Sequence, residues 1–198
     1  MDWKNFLDFM SLAEKLKCNT RHCTNSQGDP ESVAEHCWRA ALMALLLEPE
    51  FPGLDMNRVM RMCLIHDLGE AVTGDIPTFR KTAADEAVEE QAVEELLAPL
   101  PERTRREFAA LFAETEKLET PEARLFKVID KLEAVIQHNE SPISTWEELE
   151  YELQRHYGQR EAGWFPQTAA LREEILRRTE EKIAAEGRRE RGRAALEV

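Results

Sequence analysis

RVMRMCLIHDLGEAVTGD, residues 58–75, is the stretch that decides how the rest of this chain is read. Val59, Met62, Cys63, Ile65 and Leu68 have the spacing of a core-facing helix, yet His66, Asp67 and Glu70 interrupt it with groups that are expensive to bury unpaired. Positions i, i+3 and i+4 of a helix share a face, so Glu70 lies one turn beyond both His66 and Asp67 and the three side chains can converge on one point. A metal ion with an activated water is one such point. Gly69 costs about 1 kcal/mol relative to Ala inside a helix, which a close approach by a second backbone or a ligand would explain. Gly74 reads as the stop signal. Taken alone, a His-Asp dipeptide is more simply a core histidine hydrogen-bonded to a neighbouring acid, and the weight of the other reading comes from the remaining chain.

At 198 residues the chain fits one domain, expected over residues 1–187, followed by a basic, frayed tail at 188–198. Its 39 acidic residues against 26 Lys and Arg give a net charge of -13, which argues against a nucleic-acid-binding surface while leaving room for a small anion in a locally basic pocket. The acidic, amphipathic start MDWKNFLDFM resembles no targeting signal, and no apolar run approaches the roughly 18 residues needed to span a bilayer, so a cytoplasmic protein without membrane contact is expected. Cys18, Cys23, Cys37 and Cys63 form no Cys-x-x-Cys pair and read as reduced thiols in or near the core. A zinc site from Cys18, His22, Cys23 and Cys37 matches no finger spacing. The sequence leaves a homodimer open.

The periodicity predicts an all-α fold. A first amphipathic helix over residues 3–17 is expected to pack on the core, and TRHCTNSQGDP (20–30), which carries Arg21, reads as a loop. Asp29-Pro30, with a Ser32/Glu35 capping box, starts a helix running to about Leu47 that carries His36 in its early turns. Asp55 opens the central helix, and Ile76-Pro77-Thr78 starts a loop after it. A charged, peripheral helix is expected from about Ala83 to Leu97 with Val88, Ala92, Val93 and Leu96 as its stripe, and another after Pro101. Thr120-Pro121 caps a long helix to about His138, with Asp130 beside its apolar face. Thr145 with Glu148 opens the helix WEELEYELQRHY, and a last helix is expected over Thr168–Glu186, ending at Gly187. No strand, repeat or nucleotide-binding glycine loop stands out.

His36, His66-Asp67 and Asp130 thus come from three helices and offer two imidazoles and two carboxylates, a set suited to a divalent ion with positions left for water and substrate. The order ESVAEH (31–36), LIHDLGEAVTGDIPT (64–78) and VIDKLEA (128–134) resembles the HD-domain phosphohydrolases, and within them the bacterial 5'-deoxynucleotidase group and its eukaryotic HD-domain relatives, over roughly residues 5 to 140. The resemblance implies one divalent metal (Mn, Co, Fe, Ni, Zn or Mg) held by His36, His66, Asp67 and Asp130. It implies that Glu70 orients or deprotonates the attacking water, that Asp75 contacts the sugar or assists proton transfer, and that Arg21 holds the phosphate. Where the bacterial enzymes have an Arg-Trp pair this chain has Arg21-His22, which places His22 at the sugar and puts a deoxyribose preference resting on the indole in question.

Each role has a plainer counterpart: Glu70 as a surface acid, Asp75 as a turn cap, Arg21 as a loop charge, and Asp130 as the partner of Lys127 on its own helix. The expected activity is hydrolysis of a phosphomonoester, foremost a nucleoside 5'-monophosphate. The alternatives are a non-enzymatic, metal-stabilised helical interaction module and a dinuclear HD-type phosphodiesterase or oxygenase. The latter needs histidines between the His-Asp pair and the final Asp, and there are none from Leu68 through Gln137.

Overall fold

The computed structural model describes residues 2–77, 80 and 82–196, with only the backbone described for residue 86 and residues 187–196. The chain divides into two compact units, one of residues 1–22 and 30–130, the other of residues 23–29 and 131–198.

The first unit contains helix α1 (Trp3–Ala13), strand β2 (Pro30–Ser32), α2 (Val33–Leu47), α3 (Met56–Ile65), α4 (Glu70–Thr73), α5 (Ala83–Leu97), α6 (Glu102–Lys117) and the start of α7 (Pro121–Glu140). Strand β1 (Thr20–Thr24) pairs with β2 in a two-stranded sheet, so Arg21 stands on a strand and not in a loop. The hairpin escapes a propensity reading because its turn is polar throughout. The Asn25 side-chain oxygen accepts from the Gln27 and Asp29 N–H groups at 2.9 and 3.0 Å, and Gly28 takes φ 91°, so a side chain builds the turn.

Caps place the helices that carry the cluster. Ser32 and Glu35 close a capping box on α2, Asp55 accepts from Arg58 N–H at the start of α3, and Thr120 Oγ1 accepts from Ala123 N–H at the start of α7. Their inner faces supply the core: Val33, Cys37, Ala40 and Ala44 from α2, Val59, Met62 and Cys63 from α3, and Ala123, Leu125, Phe126, Val128 and Ile129 from α7. Helix α1 departs from its expected docking. None of its residues is buried and Trp3, Leu7 and Met10 are exposed, while Phe9 meets Phe108 edge to face and Asn5 donates to the Pro99 carbonyl. Helix α5 also departs, because Val88 is exposed but Ala92, Leu96 and Leu97 are buried, so the helix packs where a peripheral one was expected.

The second unit is held by polar as well as apolar contacts. Arg172, buried, donates to the carbonyls of Gln154, Arg155 and Tyr157, which anchors α10 (Pro166–Leu196) to α8 (Glu148–His156). Glu147 with Glu150, and not Thr145 with Glu148, forms the capping box of α8, and a short α9 (Gln159–Ala162) precedes α10. Helix α10 does not end at Gly187, for its backbone stays helical to Leu196. The loss of about 1 kcal/mol at one glycine is offset by the good helix formers Arg, Glu, Ala and Leu that follow. Thr78 and the last two residues of the expected tail lie outside the described residues. No helix among the described residues is long and apolar enough to cross a membrane.

Candidate metal centre

The central helix does not run unbroken from residue 58 to 75. α3 ends at Ile65, and the backbone then tightens: Leu68 N–H bonds Ile65 C=O, Glu70 bonds Asp67 and Ala71 bonds Leu68, each three residues back. A stretch of this tighter kind in the middle of a helix brings i and i+3 nearly into line, here Asp67 and Glu70. Gly74 at φ 78° stops α4, as its position suggests, and Asp75 follows it half-buried. Gly69 has its reason too: a Cβ there would lie 2.8 Å from Glu89 Cγ, 3.0 Å from Val93 Cγ2 and 3.3 Å from the Glu89 carbonyl oxygen. A second helix, α5, therefore sits against the turn at a distance that only glycine allows.

Four groups meet below this turn. His36 Nε2 lies 3.2 Å from Asp130 Oδ1 and 3.9 Å from Asp67 Oδ2, and His66 Nε2 lies 3.2 Å from Asp67 Oδ2 and 3.5 Å from Asp130 Oδ1. Among the described residues, His36, His66 and Asp67 form the group whose ligand atoms all approach within 4.8 Å, and Asp130 adjoins both imidazoles. Lys127 does pair with Asp130, at 2.8 Å, but through Oδ2, which leaves Oδ1 turned to the histidines.

The tautomer of His66 follows from its partner. Nδ1 stands 3.0 Å from the Cys63 carbonyl, which can only accept, so Nδ1 carries the proton of the neutral ring and Nε2 presents a lone pair to the cluster. That Nε2 is buried and makes no hydrogen bond of normal geometry. Burial pulls the His66 pKa down, but the Asp67 charge outweighs it and holds the ring well above its ordinary value, so without a cation Nε2 shares a proton with the carboxylates, and it is this proton that a bound cation would replace to take up the lone pair. Burial likewise disfavours the charged forms of Asp67 and Asp130, yet His66, His36 and Arg21 hold Asp67, and Lys127 and both histidines hold Asp130, well below the usual carboxylate range. Two ionised carboxylates, two imidazoles and an orphaned nitrogen are a donor set that calls for positive charge at its centre, and it fits a divalent cation with mixed nitrogen and oxygen ligands.

Around the four lie the other expected residues. Glu70 is buried, and burial first, then the charges of Asp67, Asp75 and Glu89, push its pKa up to about 9; its Oε2 makes no hydrogen bond. Arg21 is directed inward, with Nη1 3.8 Å from Asp67 Oδ2, while the alternation of β1 leaves the neighbouring His22 exposed. His22 thus does not share the inward face with Arg21. Two residues of the site were missed in the sequence. Glu31, buried in β2, stands 3.3 Å from Arg21 Nε, and the Asn19 amide donates to the Glu70 carbonyl. Glu31 opens the ESVAEH stretch, and an acid one residue ahead of a helix cap is the signal that could have singled it out.

A helical core enclosing two histidines and two aspartates from α2, the α3–α4 turn and α7 defines a class of metal-dependent hydrolase. The HD-domain model matches residues 13–171, and the chain belongs to the HD-domain family of metal-dependent phosphohydrolases. It is 35% identical to 5'-deoxynucleotidase HDDC2 of Xenopus laevis over 151 residues, covering 74% of this chain and 72% of that one, and 31% identical to the human protein of the same name over 152 residues (75% and 71%). Among solved structures it is similar to a predicted metal-dependent phosphohydrolase from Magnetospirillum magnetotacticum, with TM-score 0.69, 29% identity and coverage of 89% of this chain and 93% of that one. A conserved hypothetical protein from Pyrococcus furiosus matches with TM-score 0.67 and 30% identity, over 87% and 98% of the two chains.

Proposed function

We propose that this chain is a nucleotidase that hydrolyses nucleoside 5'-monophosphates, with one divalent cation held by His36, His66, Asp67 and Asp130. The observation that carries the reading is the convergence of both histidine Nε2 atoms on the two carboxylates, with a lone pair of His66 aimed into the group. Relatives named 5'-deoxynucleotidase support the substrate class. When bound, the cation supplies Lewis-acid charge that makes water a better nucleophile at neutral pH and offsets charge on the phosphoryl oxygens.

The protein's own groups do the rest. Glu70, one tightened turn beyond Asp67, takes the proton of the attacking water; burial first, and then the neighbouring carboxylate charges, hold its pKa high, and positive charge in the cluster would offset both. Arg21, oriented by buried Glu31, presents guanidinium N–H groups to the phosphoryl oxygens. Asp75, close enough for its charge to be felt by Glu70, assists the proton or the sugar, and Lys127 at Asp130 adds a second positive charge. Water adds to phosphorus, the bond to O5' breaks, the proton taken from the water passes to O5', and nucleoside and inorganic phosphate leave.

The sugar is the point of departure from the deoxynucleotidases. With an exposed imidazole at position 22 in place of an indole, ribo- and deoxyribonucleotides are turned over within about tenfold of one another, or 1.4 kcal/mol. The test is kcat/KM on matched ribo and deoxy pairs with Mn, Co, Fe, Ni, Zn or Mg, with and without chelator. Activity that survives complete chelation would overturn the reading. Arg21→Ala should weaken every nucleotide by a similar factor, whereas His22→Trp should depress only the ribo series; a strong deoxy preference untouched by His22→Trp would remove His22 from the sugar site.

A further inference from the structure

Beside the cluster lies a cavity of about 850 Å³ whose floor includes His66, Asp67 and Phe126. Its walls come from three helices with unlike chemistry. α5 contributes Glu89, Glu90 and Glu94 around Val93 and Leu97; α6 contributes Arg105, Arg106 and Lys117, with Glu116 as its one acid, around Ala109, Phe112 and Ala113; and α7 contributes Lys127. Val93, Leu97, Phe112 and Phe126 form an apolar strip between an acidic wall and a basic one. The placement of the acidic wall is fixed by the contact of Glu89 and Val93 with Gly69 described above.

We infer that this cavity receives the base-bearing half of the substrate, so that α5 and α6 bind the nucleoside while the cluster and Arg21 bind the phosphate. The inference rests on the nucleotidase reading and adds where the leaving group goes and what it must be. A ring bearing both hydrogen-bond donors and acceptors suits walls of opposite charge around an apolar strip, because donors meet Glu89, Glu90 or Glu94 and acceptors meet Arg105 or Arg106. The volume stands near the top of the roughly 300–1,000 Å³ range of small-molecule sites, so the cavity selects for the presence of a base and tolerates purines and pyrimidines alike.

Ala109 and Ala113 offer a clean test, since both line the cavity and both are exposed, which lets a large side chain enter the cavity without displacing core. Substrates differing only by the base are compared: 2'-deoxyadenosine 5'-monophosphate and thymidine 5'-monophosphate against 2-deoxyribose 5-phosphate. The wild type should cleave both nucleotides with kcat/KM at least about tenfold above the sugar phosphate. Ala109→Trp, and independently Ala113→Trp, should abolish that advantage through KM, with the two nucleotides falling at least about tenfold more than the sugar phosphate. Deoxyadenosine binding measured by calorimetry, which needs no turnover, should be lost in the same variants. Undiminished nucleotide KM and nucleoside binding in both variants would overturn the inference, as would an equal fall for all three substrates. A wild type that binds deoxyadenosine in an Ala109→Trp-sensitive way but hydrolyses no phosphomonoester would sink the nucleotidase reading and leave the cavity assignment standing.

Discussion

Charged side chains are as dense on the middle of α10 as they are around the HD turn, and the two regions use them in opposite ways. On α10, Glu174 pairs with Arg177 and Arg178, and Arg177 with Glu181, all at helical spacing with side chains 41 to 68% exposed. Around the turn, Arg21, Glu31, His36, His66, Asp67 and Asp130 come from different elements, and none of their side chains is more than 17% exposed. Water screens the first set, so each pair is worth little and removing one partner strands nothing. In the second set every charge depends on the others, and removing one leaves buried groups uncompensated. The sequence shows Asp and Glu in both places. Only the crossing of several elements at one buried point distinguishes a site from a solvated face.

The sharpest way to break this comparison is Asp67→Ala, which deletes a carboxylate shared by both histidines and Arg21. Metal retained after gel filtration, measured by mass spectrometry, should fall by more than about 100-fold in affinity, and hydrolysis should go with it. Wild-type metal content would show that Asp67 belongs with the structural ion pairs. Next in size is Glu70→Ala, expected to keep the ion and lose about 100-fold in kcat. Normal turnover per bound ion, with metal binding lost, would make Glu70 a ligand or a structural group.

A smaller effect is expected at the α2 cap. The Glu35 carboxylate accepts from Ser32 N–H and Oγ, both at 2.7 Å, and those bonds hold its pKa below the ordinary 4.5. Because the folded value is the lower one, the stabilisation is full above the unfolded pKa and disappears as pH falls through the folded one. Glu35→Gln should therefore cost about 1 kcal/mol or less at pH 7, and the gap to wild type should close in thermal melts as pH falls below the ordinary 4.5. A gap that widens in acid would reverse the assignment. The smallest change belongs to α10, where Glu174→Gln should move the thermal midpoint by less than about 2 °C despite breaking contacts to two arginines.

What the sequence made legible follows the range of the interactions involved. Ser32 with Glu35, Asp55 and Thr120 act on backbone groups two or three positions away, so the helix starts that place His36, His66 and Asp130 could be read directly. The inward alternation of Arg21 depends on a strand that pairs through a side-chain-built turn, and the support from Glu31 depends on that pairing. Neither leaves a periodic trace. Helix α1 has the pattern of a buried face, but which of its apolar residues are covered depends on elements nearly a hundred positions away, such as Phe108 and Pro99. Gly69 is the intermediate case: its cost in a helix signalled a close neighbour, and only the fold identified that neighbour as α5.

That contact also makes a genetic statement. Position 69 and the pair Glu89 and Val93 are not independent loci, because a methyl group on one side must be matched by lost atoms on the other. Gly69→Ala should behave as a loss-of-function allele that shifts the α5 wall. Its intragenic suppressors should map some twenty residues downstream, with Glu89→Ala the simplest, since it removes the Cγ atom that the new methyl would strike at 2.8 Å, and Val93→Ala, which removes the Cγ2 atom at 3.0 Å, adding to it.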